Sequence, residues 1–484
     1  MTSLDIQQWQ QARLSRDPRF DGTFYIGVLT TGIFCRPICP ARLPKEENIR
    51  YLNSASLAIE QGFRPCRRCR PEYSPTTPQQ WPDERMDICA KEINSGFLDE
   101  HNVQQLAEKV ELSERQLRRL FVDLAGVTPT KMADTRRLLL AKQLLCESNL
   151  SVTDIALASG FSSVRRFNSA IKSFYQQTPS VIREKKRIAT NGHAGCCEIN
   201  LPHADDYPWQ QVLAFYQQRA IDGMEKIHPQ GFSRPIALFD NSVVIKIEKA
   251  QKKKALRLTI TGAKADQLTR IIAHARQVLD LNTNHAIVCQ WLRKDKLLKK
   301  LIKPQDRLAL PGAWDAFEYL IRAIIGQQVS VKAARTLTQR IIHKFGVPLA
   351  LEGVEKEESY LQFPRASILA NADLSGLGLT TRRIETIQRI AQAQVDGDIC
   401  TDQNTDLEEL KTALLDIKGI GPWTVDYLLM RGFFQPDIWL DTDLGVINAF
   451  KKVDENVDKK HLRLRAENWS PWRSYAVLAL WRTL

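Results

Sequence analysis

The sequence predicts a multidomain, mainly α-helical chain. Its units are a small α+β module around four cysteines, an all-α unit of two helix pairs, an α+β subdomain, and a helical C-terminal domain centred on a glycine hairpin. Three observations predict this. Cys35, Cys39, Cys66 and Cys69 form two close pairs near the start. Apolar residues recur at helical spacing between Val103 and Phe174. From Glu198 the pattern turns to strand-like alternation and, from Pro311, back to helices. The expected boundaries are 1–75, 84–183, 198–305 and 306–484. The last two form one functional unit, which matches the roughly three domains expected of 484 residues.

Composition bounds the function. With 43% hydrophobic and 25% charged residues, a mainly disordered or fibrous chain is excluded. A formal net charge of +13 and a pI near 9.2 point to a polyanionic partner, most simply nucleic acid. Met1–Phe20 has no apolar signal-peptide core, and no apolar run approaches the ~20 residues that span a bilayer. The expectation is a cytoplasmic, nucleoid-associated protein without a membrane partner, in reducing surroundings where thiolates bind metal.

The cysteines are spaced C-x3-C-x26-C-x2-C, so each pair bites a cation from one turn and four thiolates complete a tetrahedral zinc site. Four unrelated buried thiols is the competing reading; the pairing and the flanking Pro37, Pro40 and Pro65 argue against it. A module this small needs the metal for much of its folding energy. Arg36, Arg42, Arg64, Arg67, Arg68 and Arg70 surround the pairs and predict a phosphate clamp. The stretches Thr31-Gly-Ile-Phe-Cys-Arg-Pro-Ile-Cys39 and Gly62-Phe-Arg-Pro-Cys-Arg-Arg-Cys69 resemble the N-terminal domain of the Ada family of adaptive-response regulators. The resemblance implies that the first cysteine of the framework, Cys35 here, takes the methyl group of a DNA methylphosphotriester. Spacing alone does not choose among the four. Zinc favours the thiolate, the competent nucleophile. Zinc with four thiolates carries two net negative charges, and methylation removes one, so DNA affinity rises: a built-in electrostatic switch.

Pro71–Asp83, rich in Pro, Ser, Thr and Gln, reads as a linker. Val103, Leu106, Ala107 and Val110 then define one helix face, and Ser113 caps the next helix. That helix turns Leu117, Leu120, Phe121 and Leu124 inward and Arg115, Arg118 and Arg119 outward, a helix-turn-helix pattern. The pattern recurs: Val152, Ile155 and Ala156, a stop at Ser159-Gly160-Phe161, then a helix from about Ser163 with Phe167, Ile171 and Phe174 inward. Arg165, Arg166 and Lys172 lie on this second helix. Each unit ends in a Thr-Pro pair, Thr128-Pro129 and Thr178-Pro179. Two such units resemble the AraC-type DNA-binding domain, against the competing reading of a plain helical bundle. Arg118, Arg165 and Arg166 are candidate DNA contacts, to bases or to phosphates. A zinc module followed by an AraC-type domain is the order of the Ada family. The Pro-Cys-His-Arg motif of that family's second methyltransferase domain is absent here, so no alkylguanine transfer is implied.

Arg183–Gly195 is a second expected linker. Val243, Ile245 and Ile247, then Leu256, Leu258 and Ile260, alternate as half-buried strands, with Lys252–Lys254 at the hairpin tip between them. Leu415-Asp-Ile-Lys-Gly-Ile-Gly-Pro-Trp-Thr-Val425 reads as a helix-hairpin-helix, in which Gly419 and Gly421 permit a tight turn whose N–H groups face a phosphate. Asp443 follows about twenty residues later. That combination resembles the helix-hairpin-helix DNA glycosylases. Arg322-Ala-Ile-Ile-Gly-Gln-Gln-Val-Ser-Val331 and Ser470-Pro-Trp-Arg-Ser-Tyr-Ala-Val-Leu-Ala-Leu-Trp481 narrow it to the 3-methyladenine DNA glycosylase II, or AlkA, family, over roughly residues 198–484.

Asp443 precedes an apolar helix, where the dipole favours an anion, and a fixed carboxylate stabilises the positive charge that glycosidic cleavage builds on the sugar. A helix N-cap is its second reading, compatible with the first. The resemblance implies that Trp423, Tyr427 and Trp481 line the base pocket, where aromatic faces attract a cationic alkylated purine; core packing is the competing reading for each alone. Trp423 stands where bifunctional relatives carry a catalytic lysine, so the expected enzyme is a monofunctional hydrolase. Gln327 and Gln328 fall in the same implied site. Gln328 replaces the family's leucine wedge, and Asp441 replaces a proline, departures that bear on efficiency and lesion range. No cysteine follows Cys400, so no iron–sulfur cluster is expected. A monovalent cation at the hairpin and RNA polymerase as activator partner are further expectations, as is a monomeric state bound to double-stranded and alkylated DNA. The function expected is alkylation repair by monofunctional base excision, joined to methylphosphotriester sensing and transcription control. The alternative is an alkylation-sensing regulator whose glycosylase-like part only binds DNA.

Overall fold

The computed structural model describes residues 3–66, 68–71, 74, 81, 83–184, 196–204, 206–238, 241, 243–251, 254–349, 359–402, 405–452 and 459–484. The chain is multidomain and mainly helical, with small sheets, as the sequence predicts. Arg67, most of the first expected linker, residues 185–195 of the second, and Lys252 and Lys253 lie outside the described residues.

Helix Ser3–Ser15 opens the cysteine module, which carries a four-stranded sheet in the order Ile49–Leu52, Tyr25–Val28, Ile33–Cys35, Arg64–Pro65. Phe24, Phe34 and Leu52 fill its small core. Two short strand ends, Ile33–Cys35 and Arg64–Pro65, run parallel and deliver the two cysteine pairs to one place.

The helix pairs follow as predicted. Asn102 and Ser113 cap Val103–Glu108 and Glu114–Ala125 with reciprocal capping boxes. Leu117 and Phe121 are buried and Arg115, Arg118 and Arg119 exposed. Val152–Ala158 and Val164–Tyr175 repeat the arrangement around Phe167 and Ile171. The Thr-Pro pairs correct the expectation: they do not close the units. Thr128 caps Pro129–Glu147, with Pro129 in the first turn where a missing N–H costs nothing, and Pro179 opens Pro179–Glu184.

The five-stranded antiparallel sheet runs Cys196–Pro202, Ala255–Thr261, Val243–Lys249, Gly231–Ile236, Lys226–His228, with the predicted alternation on Val243–Lys249 and Ala255–Thr261. Its core is continuous with that of the second helix pair: Leu138, Leu144, Leu145, Ile155 and Phe167 pack in one cluster with Ile199, Leu201, Ile245 and Leu258. Gln143 bonds the Asn200 carbonyl at 2.7 Å, and Glu147 accepts from both the Asn200 N–H and Arg70 of the cysteine module. The second helix pair therefore sits on the sheet, while the first keeps a core of its own around Leu106, Leu117 and Phe121.

Two further cores build the C-terminal half. One holds Leu320, Ile324, Ile387, Leu414 and Leu428. The other packs Val288–Leu310 residues against Val446, Phe450, Trp469 and Leu480, across the expected 305/306 boundary. Among the described residues no helix is long and apolar enough to cross a membrane.

Candidate functional site

The cysteine centre is assembled from two turns. Cys35, Cys39, Cys66 and Cys69 bring their Sγ atoms within 4.8 Å of one another. Four thiolates packed this closely repel one another, so holding all four ionised requires a cation between them. The donor set fits zinc: soft, fourfold, closed by backbone. Cys39, Cys66 and Cys69 are buried, whereas Cys35 is half-exposed. The backbone N–H groups of Arg36 and Arg68 donate to the Cys69 and Cys66 sulfurs at 3.4 Å. Those bonds withdraw charge from the buried sulfurs and leave Cys35 the accessible one.

The arginine clamp is corrected. Arg36 is tied to buried Asp21 and to the Cys69 carbonyl, and Arg70 pairs with Glu147 at 3.1 Å, so both are internal. Arg42, Arg64 and Arg68 are exposed. On the helix pairs, Arg165 and Arg166 are exposed, and Arg118 is exposed in a surface pair with Glu114, of the kind worth about 0.3–0.5 kcal/mol and easily exchanged for a phosphate.

The second centre lies where helices Pro422–Gly432, Leu444–Lys451 and Arg473–Trp481 meet. Asp443 caps Leu444–Lys451 and is buried. Its Oδ1 accepts from the Val446 N–H at 2.7 Å and the Trp481 Nε1–H at 2.9 Å, and its Oδ2 from the Trp423 Nε1–H at 2.8 Å. Trp423 stacks on Tyr427 at 5.0 Å and 18°, and Tyr427 meets Trp481 edge-on at 6.1 Å. So Trp423, Tyr427, Trp481 and Asp443 come together, and two of the aromatics add a role that residue type did not show: both indoles hold the carboxylate. The buried Arg431 guanidinium lies 5.7 Å from the Trp481 ring centre.

The hairpin is Ile417–Gly421 between Leu407–Asp416 and Pro422–Gly432. Gly419 has φ +105°, and a Cβ there would sit 2.1 Å from Thr386 Oγ1, so glycine is required; Gly421 is extended and uncrowded. Gln327 is part of the support of the hairpin, donating to the Gly419 carbonyl at 3.3 Å and Thr424 Oγ1 at 3.0 Å, while Arg383 donates to its carbonyl at 2.6 Å. Gln328 stands apart, exposed, with φ +57°. Sequence reading missed Thr386, Thr424, Arg383 and Gly445. A Cβ at Gly445 would come within 3.0 Å of Asp443 Oδ1 and 3.2 Å of Trp481 Nε1. Only Gly445, two residues after a candidate acid, carried a sequence signal.

Family models match the chain in four stretches. They are the metal binding domain of Ada over residues 8–72, a helix-turn-helix domain over 106–185, the AlkA N-terminal domain over 198–315, and the HhH-GPD superfamily base excision DNA repair protein over 321–474. A probable bifunctional transcriptional activator/DNA repair enzyme AlkA of Mycobacterium tuberculosis is 32% identical over 99% of this chain and 97% of its own. DNA-3-methyladenine glycosylase 2 of Escherichia coli is 30% identical over 57% of this chain and 94% of its own. Among solved structures, a 3-methyladenine DNA-glycosylase from Archaeoglobus fulgidus covers 59% of this chain and 96% of its own, with a TM-score of 0.50 and 21% identity, a likeness of fold.

Proposed function

Because the chain belongs to the family of bifunctional transcriptional activator/DNA repair enzymes represented by the mycobacterial AlkA, we propose that it couples alkylation sensing to base excision. It hydrolyses the N-glycosidic bond of alkylated purines of the 3-methyladenine type, binds DNA, and carries a zinc-binding methyl acceptor for DNA methylphosphotriesters. The observation that carries the repair half is the buried Asp443 carboxylate at a helix N-terminus, met by three N–H donors and edged by stacked aromatics.

The residues do the following. A purine alkylated at N3 or N7 is cationic and is turned out of the duplex against Trp423 and Tyr427, whose faces favour it. Its positive charge makes it a good leaving group, so no strong general acid is needed. As the bond breaks, charge grows on the sugar, and Asp443 supplies the fixed counter-charge without reorganising. Water adds to the sugar carbon, its proton passes to solvent, and an abasic site remains. Trp481→Phe keeps the aromatic contact but removes one charge-assisted bond to Asp443, worth about 1.5–3 kcal/mol. Single-turnover base release at saturating enzyme is expected to fall about tenfold to a hundredfold with little change in lesion affinity; loss confined to affinity would make Trp481 only a wall.

Gln328, exposed and at positive φ, fills the gap left by the flipped base in this reading. Gln328→Ala is expected to slow release about tenfold for a lesion in a matched pair and less in a mismatch, where opening is cheaper. Equal losses in both contexts would remove Gln328 from the opening step. The N–H groups opening Pro422–Gly432 face a phosphate, with a monovalent cation at the hairpin carbonyls.

At the cysteine centre, zinc when bound keeps the four sulfurs as thiolates at neutral pH. The sulfur of Cys35, the one half-buried cysteine of the four, attacks the methyl carbon; the carbon–oxygen bond breaks and the phosphodiester leaves as an anion. Arg68 holds the phosphate, and Arg118, Arg165 and Arg166 contact operator DNA. The methylated chain acts as a monomer on RNA polymerase at promoters of the bacterial nucleoid. Base release from methylated duplex tests the whole: wild-type chain that binds the duplex but frees no base is a regulator with a DNA-binding glycosylase fold, and the proposal falls.

A further inference from the structure

The segment 294–303 holds five lysines, Lys294, Lys296, Lys299, Lys300 and Lys303, and a single acid, Asp295. All five lysines are exposed. Between them Leu297, Leu298 and Ile302 are buried, so the segment is amphipathic and mounted firmly. Its apolar side packs in the same core as Val446 and Phe450, on the helix that Asp443 caps, and as Leu480, beside Trp481. The lysines therefore have a fixed relation to the catalytic carboxylate.

The one acid does nothing to offset them. Asp295 Oδ1 accepts from the Leu297 and Leu298 N–H groups at 2.8 and 3.0 Å, and its carboxylate takes Arg465 in a two-pronged pair at 2.8 and 3.0 Å. Among the described residues none of the five lysines is in an ion pair, though Lys294 lies 3.8 Å above the exposed Trp291 ring. Arg463, Lys451 and Lys452 are exposed as well. Arg463 lies on helix Lys459–Glu467, whose Arg465 holds Asp295. The two lysines lie at the far end of the helix capped by Asp443, where Lys452 donates to the Thr483 carbonyl at 3.1 Å. That helix has eight residues, so its two ends are about 12 Å apart, within about four base pairs of duplex. Asp306 is the nearest further acid, and its carboxylate accepts from the Lys303 N–H at 2.9 Å rather than from a lysine ammonium. Five like charges against so few acids disfavour the fold by themselves and suit a polyanion.

We propose that this lysine face is a phosphate-binding surface for the DNA that flanks the lesion, holding the duplex against the pocket while the base is out. The inference rests on the C-terminal half being a glycosylase. Lysine ammoniums are mobile point charges, suited to a sequence-neutral backbone rather than to a shaped protein epitope.

The test uses the full chain, with Lys296, Lys299, Lys300 and Lys303 all changed to Ser, or all to Arg. The probe is a duplex bearing a tetrahydrofuran abasic site, with affinity measured against salt. Each lost phosphate contact lowers the slope of log affinity against log salt by about 0.9. The serine variant is expected to lose about 3.6 in slope, four contacts at about 0.9 each, and at least tenfold in affinity at low salt, with unchanged base release once saturated, while the arginine variant stays near wild type. An unchanged slope overturns the proposal and leaves the face to an acidic protein; an equal loss in the arginine variant overturns it as a packing effect. If wild type shows no preference for the abasic duplex over undamaged duplex, the glycosylase reading fails instead.

Discussion

Asp443→Asn is expected to slow release of alkylated purine by about 10³-fold or more, some 4 kcal/mol of transition-state stabilisation, while duplex binding stays within a fewfold of wild type. Asparagine separates the two roles of this residue. It caps a helix as well as aspartate does, so the bond from the Val446 N–H, and with it helix Leu444–Lys451, survives. What is lost is the charge. Asp443 now faces three donors: Val446 and Trp481 on Oδ1, Trp423 on Oδ2. An amide offers one oxygen and one NH2 group, so if the oxygen keeps the cap, the NH2 group faces the Trp423 N–H. That donor-to-donor contact costs about 1–3 kcal/mol and turns the Trp423 indole away. Single-turnover release from methylated duplex reads the chemistry, and tryptophan fluorescence reads the indole. A variant within tenfold of wild type would return Asp443 to capping alone.

Much of this was legible because the signals are local. The C-x3-C-x26-C-x2-C spacing, the faces set by Leu117 and Phe121 and by Phe167 and Ile171, the alternation of Val243–Lys249, and the strained Gly419 each depend on a few neighbouring residues. What escaped depends on residues distant in the chain. Arg36 and Arg70 looked like phosphate ligands because charge type does not reveal a partner. Asp21 is buried beneath one, and Glu147 reaches the other from a different unit. Trp423 and Trp481 were readable as aromatic surface, but the direction of their N–H groups toward Asp443 is a property of three helices meeting. The shared core under the second helix pair left a trace that went unread. Helix Pro129–Glu147 is apolar over more than one face at Leu138–Ala141 and Leu144–Leu145, as expected of a helix buried against two partners.

Cys35→Ser is expected to abolish methyl uptake from methylphosphotriester DNA while residues 8–72 stay folded with zinc bound. Removal of the ion by a chelator is expected to unfold them. The difference follows from where the sulfurs sit. Cys39, Cys66 and Cys69 are buried at 7–8% exposure and, as thiolates on zinc, staple two turns around a core of few residues; Cys35 is at the rim. Structural zinc contributes about 10–16 kcal/mol in small peptides, comparable to the whole stability of an ordinary domain, so a module of this size does not survive its loss. Mass spectrometry of the treated chain reads methyl uptake, and circular dichroism of the isolated change on chelation reads the fold. Methyl appearing on Cys39, Cys66 or Cys69 of the variant would falsify the assignment of Cys35. The same variant tests the switch. Removing one negative charge about 5 Å from a phosphate is worth roughly 0.8 kcal/mol with water-like screening, about fourfold in affinity, and more where the contact is dry. Wild type exposed to the triester is therefore expected to gain at least that factor in DNA affinity, with the gain shrinking as salt rises, and the serine variant, unable to accept the methyl, to gain nothing.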